Sequence, residues 1–211
     1  MSRPGMDGQT ASTLSWCRDW VSEQLGGIRH ERRVAAIART LFDLTLPMHD
    51  LNRGDLRLLT LGAYLHDVGR SINNKNHASI GAGIIRRERT LPLKKRQRRI
   101  LSYLALRHRG GVPEAGSDPA LKRVNDAGKV RLLLAFLRAA DALDSRGLPS
   151  PRLSISRRGQ RIRIVCRPRE DSAKARRIFS RRKKLRLLEE MLDCRIDVVV
   201  VVARGGVRAA A

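Results

Sequence analysis

His66 and Asp67 stand side by side at the end of an apolar stretch, and His77 follows across a short polar loop, within LGAYLHDVGRSINNKNHASIGAGII at residues 61–85. Imidazole and carboxylate are ligand types for divalent metals, so this stretch is a candidate metal site. Leu58, Leu61, Leu65 and Val68 recur at helical spacing, which predicts a buried helix ahead of His66, with Gly69 as its stop signal. SINNKN has the composition of a loop, and His77 begins a second apolar period through Ile80, Gly81, Ile84 and Ile85.

Further groups of the same kind fall on other apolar faces. His30 lies four residues before Val34, on the face that Ile37, Leu41 and Leu44 continue, and His108 follows Leu104 by four residues and Leu101 by seven. Asp141 extends the line of Val130, Leu133, Leu134 and Leu137. A carboxylate buried there needs a cation, a metal or a dense hydrogen-bond network. Asp144 reads as a local cap or ion pair, and His49, in the MHDLN turn, as a surface or turn residue. Each inward histidine alone has an ordinary explanation as a hydrogen-bonded core residue. Together they require several helices to aim ligand-type groups at one interior. Such a set can hold Fe, Mn, Co, Zn or Mg with positions left for water, and bound water loses its proton more readily. That chemistry suits hydrolysis of phosphate esters and phosphoanhydrides.

The elements that must position these groups are mainly helices. Residues 1–12 read as a disordered lead-in and are followed by a short helix that ends at Gly26 and Gly27. A helix from Ile28 to about Leu46 closes at Pro47, and the basic run 86–99, broken by Pro92, leads into the helix carrying Ile100, Leu101, Leu104 and Ala105. GGVPEAGSDP is a surface loop. Beyond Leu148 the pattern turns to alternation: Leu153 and Ile155, a turn at Gly159, then Ile162, Ile164 and Cys166 between arginines. Residues 172–193 return to helix, with Arg176, Arg177, Arg181, Arg182, Lys183 and Lys184 largely outward, and Ile196–Val202 reads as a strand. The predicted organisation is a lead-in at 1–12, a helical domain at 13–148, a basic α+β extension of ββαβ order at 149–203, and a frayed tail at 204–211.

The chain has 211 residues with Lys+Arg 44 against Asp+Glu 20, a formal net charge of +24. This excess points to an anionic partner or substrate such as nucleotide, polyphosphate or RNA, with a solvated basic exterior as the plain alternative. Only 3% of residues are aromatic, which argues against a base-stacking platform. Cys17, Cys166 and Cys194 are too few and too scattered for a disulfide framework or a zinc-finger spacing. No apolar run approaches the roughly 20 residues of a membrane span and no signal peptide is evident, so the expected location is the cytoplasm, without membrane contact. A homo-oligomer is compatible with these features. Arg70, Lys75, Arg107 and Arg109 lie beside the candidate ligands and are candidates to hold phosphate oxygens; solvated charge is the alternative for each.

The order His30, His66-Asp67, Asp141, with LHDVGRSIN and LRAADALD around the last two, resembles the HD-domain metal-dependent phosphohydrolases. More narrowly, HDVGRSIN, RHRGG and LLLAFLRAADALDSRG resemble the C-terminal helical domain of the exopolyphosphatase/guanosine pentaphosphate phosphatase family. The resemblance implies a mainly α HD-domain bundle in which His30, His66, Asp67 and Asp141 ligate one divalent metal, with His66 and Asp67 catalytic. It implies a second ion at His77 and His108 in two-metal members. The chain has no room for the actin-like ATPase-fold domains that carry exopolyphosphatase activity in full-length members, so it resembles a free-standing module. The expected activity is hydrolysis of a nucleotide, an alarmone or polyphosphate. The competing expectation is a non-catalytic module that binds RNA or polyphosphate, or senses a nucleotide for another protein.

Overall fold

The computed structural model describes residues 6–201 apart from 115, 123–125, 147, 149–150, 170–171 and 181. The frayed tail expected at 204–211 lies outside these residues. Helix α1 (Met6–Leu25) begins inside the segment expected as a lead-in, which corrects that expectation for residues 6–12. It stops where Gly26 and Gly27 take φ of +68° and +148°, values that glycine adopts without steric cost.

Helix α2 (Arg29–Leu44) buries His30, Val34, Ile37, Ala38 and Leu41 along one face, and Pro47 sits in a single 3-10 turn after it. Helix α3 (Arg53–Leu65) is started by a reciprocal cap: Asn52 Oδ1 accepts from the Gly54 and Asp55 N–H groups, and Asp55 accepts from the Asn52 N–H. It is followed by a 3-10 turn at Val68–Ser71, then α4 (His77–Arg87), α5 (Lys95–Arg107) and α6 (Ala127–Leu143). From Leu132 to Ala140 every residue of α6 is buried, as expected of a helix apolar on all sides, and α6 is the centre of the bundle.

Arginines close the helix ends. Arg138, buried in α6, donates to the carbonyls of Arg107 and Gly110 at 2.6 and 2.9 Å and so satisfies the end of α5. Arg98 does the same for α4, reaching the Ile85, Glu88 and Leu91 carbonyls.

Strands β1 (Arg152–Arg158) and β2 (Arg161–Arg167) form the expected hairpin, with Gly159 at φ +57° in the turn. Strand β3 (Arg195–Val200) pairs with β2 in parallel, giving the order β1-β2-β3. Parallel pairing requires a crossover, and α7 (Ser172–Phe179) and α8 (Lys183–Leu192) supply it. The single helix expected over 172–193 is two helices: α7 ends at Phe179, and Arg182, the cap of α8, bonds Glu189 and the Ile196 carbonyl through its side chain. Lys184, read as outward, is turned inward onto α6. The fold class is mainly α with a small α+β extension, as the sequence predicts. The buried apolar residues form one cluster that runs from Leu41, Leu65 and Phe136 into Ile162, Cys166, Leu188 and Ile196. Cys17 and Cys166 are free and buried, and burial pushes both thiols up to about 11, far from reactive.

Gly69 does more than end a helix. A Cβ there would lie 2.1 Å from the His77 carbonyl oxygen and 2.6 Å from the Gly81 nitrogen, because the turn at Val68–Ser71 rests on the first turn of α4. This contact sets His77 beside His66 and Asp67. Gly69→Ala is expected to cost about 3 kcal/mol or more, since helix backbone has to give way, and to lower the thermal midpoint. An unchanged midpoint would show that α4 can move off the turn freely.

Candidate metal centre

The polar cluster is assembled from helix ends. His66 is the residue that closes α3 and His108 the one that closes α5, and each ring turns back on its own helix: Nδ1 meets the Ala63 carbonyl at 2.8 Å and the Ala105 carbonyl at 2.7 Å. His77, the first residue of α4, meets the Asn74 carbonyl at 2.7 Å through Nδ1. His30, in the first turn of α2, meets Asp144 Oδ2 at 3.0 Å, again through Nδ1. Carbonyl and carboxylate oxygens only accept, so in each of these rings Nδ1 carries a proton, and in the neutral ring the Nε2 lone pair is turned inward.

Those Nε2 atoms converge on Asp67 and Asp141. His77 and His108 approach Asp67 Oδ1 at 3.1 and 3.3 Å and each other at 3.2 Å. His66 and His30 approach Asp67 Oδ2 at 3.7 and 3.9 Å, and Asp141 Oδ1 at 3.9 and 3.3 Å. When the rings are neutral, lone pair faces lone pair and carboxylate across these gaps. Nε2 of His30 and of His66 are buried without a hydrogen-bond partner. Such an arrangement calls for a cation. Three overlapping triads place their ligand atoms within 4.8 Å of one another: His30, His66 and Asp67; His66, His108 and Asp141; Asp67, His77 and His108. The donor set, imidazole plus carboxylate with oriented outer partners, fits a divalent metal.

Around it lies a charged frame. Asp67 Oδ2 accepts from Arg70 Nε at 2.7 Å and Arg146 Nε at 3.0 Å, and Arg146 also holds the buried Glu31. Lys184 of α8 bonds Asp141 Oδ2, and Arg33 bonds the Asp144 carboxylate that supports His30. Burial alone would raise the Asp67 carboxyl, but His66, His108 and Arg70 draw it far below the usual carboxylate range. Asp141 is likewise lowered against its burial by His30 and Lys184. Burial depresses His66 and His77. His30 goes the other way: burial lowers it, yet Asp141 and Asp144 outweigh burial and bring it up to about 9.

Every ligand candidate of the sequence reading, His30, His66, Asp67, His77, His108 and Asp141, is in this one cluster. The phosphate candidates divide. Arg70 is half-buried on Asp67 and Asn74, while Lys75 and Arg109 are exposed, Arg109 near enough to disfavour charge on His77. Arg107 is committed elsewhere: its guanidinium forks onto Asp118 at 2.9 and 3.2 Å and pins the loop after α5. His49, read as a surface or turn residue, follows the 3-10 turn and is half-buried, its ring tilted against Phe42 and edge-on to Phe136. Glu31, Asp144, Arg146 and Lys184 complete the frame and were not singled out as site residues in the sequence. Glu31 and Asp144 carried a signal, since each lies within three residues of a proposed ligand.

A family model, Ppx/GppA phosphatase, domain III, matches residues 27–157. The match spans more than half of the chain, from the start of α2 into β1, and the chain belongs to this family. It takes in every residue of the cluster except Lys184. No curated protein matches the chain. Among the described residues no helix is long and apolar enough to cross a membrane.

His30 gives the centre a defined pH response. Its raised pKa means that the metal-free protein holds this contribution to stability in full below the ordinary histidine value, about 6.5, and loses it as pH rises through about 9. A divalent ion competes with the same proton, so its affinity is expected to climb over that interval with proton release. Calorimetric titration with Mn²⁺ in buffers of different ionisation enthalpy measures both; affinity independent of pH would contradict the assignment of His30.

Proposed function

We propose that the chain is an HD-type metal-dependent phosphohydrolase. The observation that carries this reading is the convergence of the His30, His66, His77 and His108 Nε2 atoms on Asp67 and Asp141, each ring fixed by a bond at Nδ1. His30, His66, Asp67 and Asp141 would hold one divalent ion. His77 and His108 would hold a second, with Asp67 presenting Oδ2 to the first group and Oδ1 to the second. Such ligands suit Mn, Fe, Co or Zn, and Mg through the carboxylates. When bound, the metal supplies Lewis-acid stabilisation of phosphate charge and lowers the pKa of water.

The chain's own residues do the rest. Asp67 is kept ionised by Arg70 and Arg146, and these half-exposed guanidinium groups stand where phosphate oxygens would arrive at the cluster. Lys75 and Arg109 add positive charge at the exposed rim and draw in an anion. Asp144 and Glu31 hold His30 and Arg146 in place. The substrate class is a phosphate ester or phosphoanhydride: a nucleotide, an alarmone or polyphosphate. In this reading residues 13–148 form the catalytic unit and 149–203 an extension that lends Lys184 to it.

A second reading, a binding or nucleotide-sensing module without turnover, draws on the net charge of +24 and on the match to a single domain of a phosphatase family. The two separate experimentally. Protein purified without chelator is expected to carry near-stoichiometric transition metal, measured by elemental analysis, and to lose it in the His66→Ala, Asp67→Ala double variant. Asp67→Ala alone should abolish turnover of phosphate substrates while leaving helical circular dichroism in place. Anion binding that persists without metal, with no turnover under any metal, would favour the second reading.

A further inference from the structure

Helix α8 lies beyond residues 27–157, the span of the family match, yet it reaches the metal centre through one side chain. Lys184, the second residue of α8, bonds Asp141 Oδ2. Apolar anchors set its place: Leu185, Leu188 and Leu192 are buried, and α8 packs on α6, the helix that carries Asp141. The lysine side chain is 29% exposed against 13% for Asp141, so the ammonium comes to a largely buried carboxylate from its rim.

The two oxygens of Asp141 have different neighbours. Oδ1 faces Nε2 of His30 and of His66 at 3.3 and 3.9 Å, and Oδ2 carries Lys184. An ion held between these imidazoles and Asp141 therefore binds Oδ1 of a carboxylate that already serves an ammonium. Both oxygens belong to one carbon, so the two cations stand close together and repel strongly in a site with little water. Other basic groups at the centre are tied differently. Arg146 divides its charge between Asp67 and Glu31, Arg33 shares Asp144 with His30, and Arg138, three residues before Asp141, turns Nη1 and Nη2 to the Arg107 and Gly110 carbonyls. Among the described residues Lys184 pairs with Asp141 alone, and it is the only lysine or arginine that does so. A buried carboxylate needs such a cation when no metal is bound.

We propose, on the reading that His30, His66, Asp67 and Asp141 hold a divalent ion, that Lys184 is a built-in competitor of that ion. It neutralises Asp141 in the empty centre and weakens the hold of the filled one, so the metal stays exchangeable. Control of metal affinity then belongs to the extension and not to the helical domain that supplies the ligands. Removing the ammonium has two opposite effects: the empty protein loses the partner of a buried carboxylate, while the ion gains a more negative ligand. A lysine that only packs α8 on α6 would, when removed, lower stability and metal affinity together.

The test is calorimetric titration with Mn²⁺ at a single pH, using the full chain stripped of metal with EDTA and dialysed. Lys184→Met, which keeps the length of the stem without the charge, is expected to bind Mn²⁺ at least about tenfold more tightly than the natural sequence. Its metal-free thermal midpoint should fall, and saturating Mn²⁺ should raise the midpoint by more than in the natural sequence. Lys184→Gln, which can still donate to Asp141 without the charge, should show the same gain in affinity even if the methionine variant does not fold. Lys184→Arg, which keeps the charge, should stay within about threefold of the natural affinity. Lys183→Met, which removes one charge from the exposed neighbour, should stay within about twofold. Unchanged or weaker Mn²⁺ binding by Lys184→Met and Lys184→Gln, or an equal gain in Lys183→Met, would overturn the inference while leaving the metal centre in place. Absence of Mn²⁺ binding from every form would overturn the metal centre itself, and this role with it.

Discussion

Asp67 is almost fully buried, and an ionised carboxylate in that position is tolerated only when charge and hydrogen bonds surround it on every side. Its two oxygens are approached by Arg70, Arg146 and the Nε2 atoms of His30, His66, His77 and His108. Each of these imidazoles is aimed by a bond from its far nitrogen to an acceptor whose position is set by a helix end or by Asp144. The bundle is thus arranged so that helices start and stop around one charged point. Gly69 makes the closest of these approaches, letting backbone lie on backbone where a side chain would hold α4 away.

The basic excess is less uniform in purpose than its total implies. Arg98 and Arg138 face inward and complete the carbonyl ends of α4 and α5, and Arg157 and Arg182 bond backbone carbonyls from the extension. Arginine suits this task because its planar fork reaches several acceptors at once and keeps its charge when buried. Another set pairs with carboxylates, as Arg107 does with Asp118 and Arg161 and Arg195 do with Asp197. Net charge counts all of these together, although a side chain already committed to a carbonyl or a carboxylate has less to offer an anion.

Much of the architecture was legible in the residues because apolar spacing records which face is buried. The same spacing that put Leu104 inside put His108 inside, and Asp141 was placed by Leu137 in the same way. Periodicity fails where a residue's role comes from a distant segment. Lys184 lies between the exposed Lys183 and Arg186, and nothing local says that it reaches Asp141. Arg146 follows α6 in a short linker with no period at all, yet it joins Glu31 to Asp67. Arg107 sits next to His108 in sequence, but one step along a helix end turns the side chain away, and Asp118 claims it. The break between α7 and α8 was hidden because Ile178 and Leu185, on either side of it, stand at a helical interval.

Parallel pairing of β2 with β3 has a consequence for the order in which the molecule can be completed. A hairpin closes on itself as soon as both its strands exist, whereas β3 must wait for the crossover of α7 and α8 before it finds β2. During synthesis the cluster's imidazoles and carboxylates emerge first and the cation that neutralises Asp141 emerges last. Until α8 packs on α6, Asp141 faces its neighbours without Lys184. The ion pair that neutralises Asp141 therefore joins the cluster from the part of the chain that is made after it.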